Sequence, residues 1–220
     1  MHGIDGCRQG WIIASIVNQQ LQLSFSPTLL DSQALAAKST IIIDMPVALP
    51  SSIAEYPRTC DKTAKKELGR QHASIFYAPV IDWLNSPYPS INHACTIANA
   101  PKLSKQSFNL FPKIKELQTF EQATEHHIIE SHPELIFNHY LPQPLVSKKS
   151  AEGQQQRWAV IQELTNQQHI QLHADDIRKF HNQMKRVCLL DDIYDAIILA
   201  LLGHDLVTKQ NHPLLLSSNR

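Results

Sequence analysis

The chain has 220 residues, enough for one large domain, or one domain with a sizeable insertion, around a real core. Apolar residues make up 43%, and 20 basic residues balance 20 acidic ones to a formal net charge of zero. That balance excludes a molecule-wide attraction for nucleic acid or anionic membranes, so a polyanion site would have to be a local patch.

No run approaches the ~18 apolar residues needed to span a bilayer. The opening MHGIDGCRQGW has no basic region leading into an apolar run and does not read as a signal peptide. Cys7, Cys60, Cys95 and Cys188 are scattered, with no CxxC pair, and are expected as reduced thiols of a cytoplasmic protein.

Taken in chain order, HGIDG is a short strand ending in glycine. The apolar run at 11–17 has strand length, and 20–26 alternates apolar and polar. The intervening Asn-Gln-Gln predicts a hairpin. Residues 30–38 predict a short helix, and TIIIDMP a strand buried on both faces, as in a parallel sheet. Residues 58–70 predict a helix ending at Gly69, with Lys62, Lys66 and Arg70 on one face. That face is either a solvated surface or a patch for phosphate.

Residues 79–101 hold four prolines and read as a loop-rich lid or insertion. A helix is expected to enter at Pro112, a strand to end near Glu130, and Pro133 to force a turn or a helix start. Further helices are expected from Ser150 to 168 and from about Asp191, the last with an apolar stripe of Ile193, Ala196, Ile197, Ala200 and Leu201. Three antiparallel strands followed by strands separated by helices imply a mixed sheet with helices on its faces.

Acids at the ends of apolar runs are the most informative feature. Asp5 lies in the first strand, Asp44 ends IIID, Glu130 ends HIIE, and Asp192 and Asp195 are three apart at the start of an apolar helix. Each has an ordinary alternative: a turn residue for Asp5 or Asp44, a lysine partner for Glu130, a helix cap for Asp191 or Asp192. Together they predict one cluster, because carboxylates beside buried strands are costly unless paired or cation-bound. Hard oxygen ligands favour Mg²⁺ or Mn²⁺ over zinc.

Arg8, beside Asp5, suits either a scissile phosphate or one of the acids, and Lys148 in SKK suits phosphate or solvent. His132 is a candidate proton shuttle or metal ligand, against an ordinary loop histidine. Trp11, Phe76 and Trp158 are expected in the core rather than as base-stacking platforms.

The motifs IDGCRQGW (4–11), IDMPVALP (43–50), RTCDKTAKKELGRQHASIF (58–76), QSFNLFPKIKEL (106–117), ESHPELIF (130–137), SKKSAEG (147–153) and DDIYDA (191–196) resemble, in order, the family catalogued as domain of unknown function 429. That family is described as a predicted nuclease with a ribonuclease-H-like fold.

The resemblance implies one ribonuclease-H-like domain over 1–220, with a five-stranded mixed sheet and a helical, loop-rich insertion over 51–125. It places Asp5, Asp44, Glu130 and Asp195 as catalytic carboxylates, with Asp192 as a further metal ligand, an arrangement similar to Holliday-junction resolvases. Arg8, Lys62, Arg70 and Lys148 become candidate contacts for substrate. The expected activity is metal-dependent phosphodiester hydrolysis on RNA or DNA. The alternative is a catalytically silent module that binds nucleic acid, nucleotide or protein. Gln9 and Ala48 stand where the family pattern has glycine, and Lys65 and Gln71 where it has arginine, which thins the basic patch.

Overall fold

The computed structural model of the chain describes residues 1–208 and 217–218, apart from the side chains of Arg70, Thr208, Ser217 and Ser218. Strands β1 (His2–Cys7), β2 (Gly10–Val17) and β3 (Gln20–Ser26) form an antiparallel meander. Asn18 and Gln19 carry the β2–β3 turn at positive φ, as a tight hairpin of this hand demands. Strand β4 (Thr40–Ile43) then pairs in parallel with β1, and β5 (His127–Glu130) in parallel with β4. The order is β3-β2-β1-β4-β5, extended by a two-residue β6 (Ser217–Ser218) antiparallel to β5. This mixed α/β architecture is consistent with the ribonuclease-H-like sheet expected.

The two faces of the sheet carry separate cores. On one face Cys7, Ile12, Ala14, Ile42 and Ile129 pack beneath α8 (Leu190–Thr208), α5 (Pro133–Tyr140) and α6 (Ala151–Gln167). Residues Ile193 to Leu202 of α8 are all buried, so this helix is apolar nearly all round. Its approach depends on Gly3, because a Cβ there would overlap the α8 backbone at Ala196 and Ala200.

On the other face Ile4, Trp11, Ile13, Ile41 and Ile43 meet Phe111, Ile114, Leu117 and Phe120 of α4 (Phe111–Ala123). Most residues of this second core come from the chain between β4 and β5, so that stretch is a structural layer as well as a connection. It also holds α2 (Tyr88–Ile97) and α3 (Lys105–Asn109), and α1 (Thr59–Leu68), whose Ala64 and Leu68 pack in the α8-face core. Helix α1 stops where Gly69 takes a positive φ.

Two expectations need correction, and one helix is new. The helix expected at 30–38 is a single 3-10 turn at Gln33–Leu35. The proline-rich stretch 79–101 contains α2, because Pro87 and Pro89 fall at its cap and first turn, where a missing N–H is harmless. Helix α7 (Ala174–Met184) was not foreseen, although Ile177, Phe180 and Met184 recur at helical spacing and pack against the α8-face core. Among the described residues no helix is long and apolar enough to cross a membrane.

Candidate functional site

Parallel register sets the geometry of the acids. Ile4 of β1 stands beside Ile43 of β4, so Asp5 and Asp44 fall in the next row, tied by the Asp44 N–H donating to the Ile4 carbonyl at 3.1 Å. Both side chains therefore leave the sheet on the same side as Gly3 and Ile42, toward α8. Asp195, near the start of α8, meets them there. Asp5, Asp44, Asp192 and Asp195 together line one cavity of about 220 Å³.

Their electrostatics are unbalanced. Burial, reinforced by Asp195, Asp44 and Asp192, raises the Asp5 pKa well above the usual carboxylate range. Burial likewise raises Asp44, with Glu130 and Glu134 adding to the shift and His132 and Lys148 opposing it. Burial pushes Asp195 up to about 7, against the pull of Lys148. The Lys148 ammonium donates to Asp195 Oδ2 at 2.9 Å and lies 3.2 Å from Asp191 Oδ2. Asp195 Oδ1 is buried and has no hydrogen-bond partner. Asp192 is raised by burial and spends one oxygen on the Leu189 N–H at 2.8 Å, reaching back over the first turn of α8 as a cap.

Glu130 departs from expectation. It stands in register with Ile43, one residue out of the Asp5–Asp44 row, so it projects from the opposite face of the sheet. The β5 position that continues the row is Ser131. Glu130 reaches the cavity lining, but Arg58 grips both of its oxygens, at 2.5 and 2.8 Å, and the Val47 N–H donates to it at 2.9 Å. In this arrangement Glu130 is one half of a buried clamp. The other half is Asp61, which accepts from the same guanidinium and from the Ala78 N–H at 3.0 Å.

Arg58 and Asp61 were missed as site residues. The available signal was an Arg and an Asp three apart at a helix start, hidden in a lysine-rich stretch. A second unforeseen pair, Glu134 with Arg157, is buried behind the cavity, with Arg157 Nη2 at 2.7 and 2.8 Å from the two carboxylate oxygens.

The expected substrate contacts separate. Lys148 lines the cavity, but as the counter-ion of Asp195 and Asp191. Arg8 is exposed in the β1–β2 turn and outside the lining, because the tight turn aims it at solvent. Lys62 is also exposed and outside the lining, since Asp61, Ala64 and Leu68 take the inner face of α1. The Arg70 side chain lies outside the described residues.

His132 is the N-cap of α5: Nδ1 accepts from the Glu134 N–H, and Nε2 is 3.2 Å from the Ser74 carbonyl, with the proton on Nε2 satisfying both. Both ring nitrogens are occupied, which accounts for His132 without a proton-shuttle role. Lys113, also unforeseen, donates to the Gly10 carbonyl at 2.5 Å over the Trp11 ring. Trp11 and Trp158 pack with the cores as expected. Phe76 does not: it is partly exposed, lines the cavity and belongs to neither core.

Among the described residues, no three His, Cys, Asp or Glu groups are arranged to hold one ion as they stand. The donor chemistry nevertheless suits a hard cation. Four carboxylates are held at raised pKa, and a buried oxygen of Asp195 is unpartnered.

The family model described as "Protein of unknown function (DUF429)" matches residues 3–213. The chain belongs to this family. No curated protein and no solved structure matches it.

Proposed function

We propose that this DUF429 protein is a metal-dependent nuclease that hydrolyses phosphodiester bonds in RNA or DNA at the Asp5–Asp44–Asp195 cavity. The observation that carries the reading is the buried, unpartnered Oδ1 of Asp195 among carboxylates of raised pKa. Proton uptake or a divalent cation relieves that repulsion, and an all-oxygen donor set suits Mg²⁺ or Mn²⁺.

Asp5, Asp44 and Asp195 would hold Mg²⁺ or Mn²⁺, with Asp192 contributing the oxygen not used as a cap. When bound, the ion supplies Lewis acidity for the attacking water and the leaving oxygen. With Asp195 so engaged, Lys148 would be available to a phosphate oxygen. The Arg58 clamp fixes Glu130 and Asp61 at the edge of the cavity and keeps its wall in place. The four free thiols suit a reducing, cytoplasmic setting.

Asp5→Asn and Asp195→Asn are expected to remove Mn²⁺-dependent cleavage of single-stranded and structured nucleic acid while leaving the fold intact by circular dichroism. Wild-type protein that binds Mn²⁺ by titration calorimetry but cuts none of these substrates would defeat the reading. One observation favours a catalytically silent binding module instead: Lys148 already neutralises part of the cluster. On that reading Asp5→Asn leaves affinity for a nucleic-acid strand unchanged.

A further inference from the structure

We propose that the cavity contains a nucleobase subsite walled by Phe76, so that the protein engages one nucleotide drawn out of its stack and not an intact duplex. The inference rests on the reading of the site as one that acts on nucleic acid.

The cavity has two kinds of lining. Carboxylates occupy part of it; Met45, Ile75, Phe76, Leu110 and Ile114 form an apolar part. The carboxylates repel a phosphate unless a cation stands between, so the apolar wall is left for the neutral portion of the ligand.

Phe76 is the residue that needs an explanation. Its neighbour Tyr77 also lines the cavity, but the Tyr77 ring packs against Tyr56 and has the Lys65 ammonium 4.8 Å from its centroid. Phe76 joins neither core and remains partly exposed at the cavity. An aromatic side chain left in this way can serve a base as a stacking platform, and such stacking is tolerant of sequence because every base has a π-face.

Size sets the number of units. At ~30 Å³ per water, a space of about 220 Å³ corresponds to roughly seven waters. It is smaller than the ~300–1,000 Å³ pockets that hold drug-sized ligands. An extruded base fits such a space, whereas a base pair with both backbones does not. Sites that read a single base pay its unstacking once and then hold it in a close-fitting pocket.

The test uses the full chain, Mg²⁺ and a short single-stranded oligonucleotide with phosphorothioate linkages and one 2-aminopurine. Wild-type protein should change the 2-aminopurine fluorescence saturably. Phe76→Ala should weaken apparent affinity about tenfold or more, and Phe76→Tyr should restore it. Thermal unfolding of both variants should stay close to wild type, since Phe76 lies outside the cores. The same 2-aminopurine in a fully paired duplex should bind much more weakly.

A wild-type titration without signal, Phe76→Ala behaving as wild type, or equal binding of the duplex would each overturn the subsite. Failure of the nuclease reading is separable. Fluorescence binding that depends on Phe76, with no cleavage of an ordinary strand in Mn²⁺, sinks the nuclease and leaves the subsite. Asp5-dependent cleavage that ignores Phe76→Ala sinks the subsite and leaves the nuclease.

Discussion

On the α8 face of the sheet, Asp5, Asp44 and Asp195 lie near Lys148, which among the described residues makes direct contact with Asp195 and Asp191. Glu130, which leaves the sheet on its other side, and Asp61 of α1 share one arginine that reaches all four of their oxygens. Both groups line the same cavity. The first has more negative charge than the protein neutralises; the second is complete within the protein. A carboxylate at a strand end is therefore not evidence of a ligand until its partners are known. The deficit, rather than the presence of acid, sets the Asp195 side apart from a structural clamp.

The largest expected effect comes from breaking the completed side. Arg58→Ala leaves two buried carboxylates without their cation, which should cost about 3–5 kcal/mol. For a domain of this size that lowers the melting temperature by on the order of 10 °C. Arg58→Lys should recover only part, because an ammonium cannot reproduce the two-pronged contact with Glu130. Differential scanning calorimetry reads both. If Arg58→Ala melts with wild type, the clamp is not structural and the contrast between the two groups collapses.

A smaller effect, of opposite sign, is expected on the unbalanced side. Burial pushes Asp195 up to about 7, so the folded state binds a proton that the unfolded chain releases near pH 4. This contribution to stability is full below the ordinary carboxylate range and is lost as pH rises through about 7. Asp195→Asn removes the dependence. The variant should melt above wild type near pH 8, and the gap should shrink toward pH 5. Burial depresses His2 to about 4, which works in the other direction, but it is common to both proteins and cancels in the difference. Millimolar Mn²⁺ at pH 8 should raise wild type toward the variant. A gap that is constant with pH would mean that Asp195 is as well matched as Glu130.

The contrast also marks what the amino-acid sequence discloses. Strand runs, the apolar stripe of α8 and the gathering of Asp5, Asp44, Asp192 and Asp195 were legible, because period and burial are local properties of the chain. The side taken by Glu130 was not. It depends on a one-residue offset between β5 and β4, which HIIE alone does not encode, since Glu130 and Ser131 are equally placed to end the strand. Arg58 was obscured for a different reason: its partner Glu130 lies 72 positions away, and nearby lysines suggested a solvated face. Phe76 looked like a core residue by type; only its absence from both cores shows otherwise. Helix α7 was missed although Ile177, Phe180 and Met184 mark one apolar face, because those three are its only large apolar residues and polar residues fill the rest.

The smallest expected effect tests where the site ends. Helix α1 joins the two environments: its inner edge carries Asp61 of the clamp, while Lys62 is turned outward and exposed. If the cavity alone receives the substrate, Lys62→Ala should change cleavage less than about twofold and stability by no more than ~0.5 kcal/mol, as for a surface residue without structural contacts. The salt dependence of strand binding separates the alternatives further. A lysine that contacts a phosphate lowers the slope of log K against log salt by about 0.7 for single strands when removed, and a solvated lysine leaves it unchanged. A reduced slope with Lys62→Ala would carry the strand across the outer face of α1, and would make the charge deficit at Asp195 one end of a longer track.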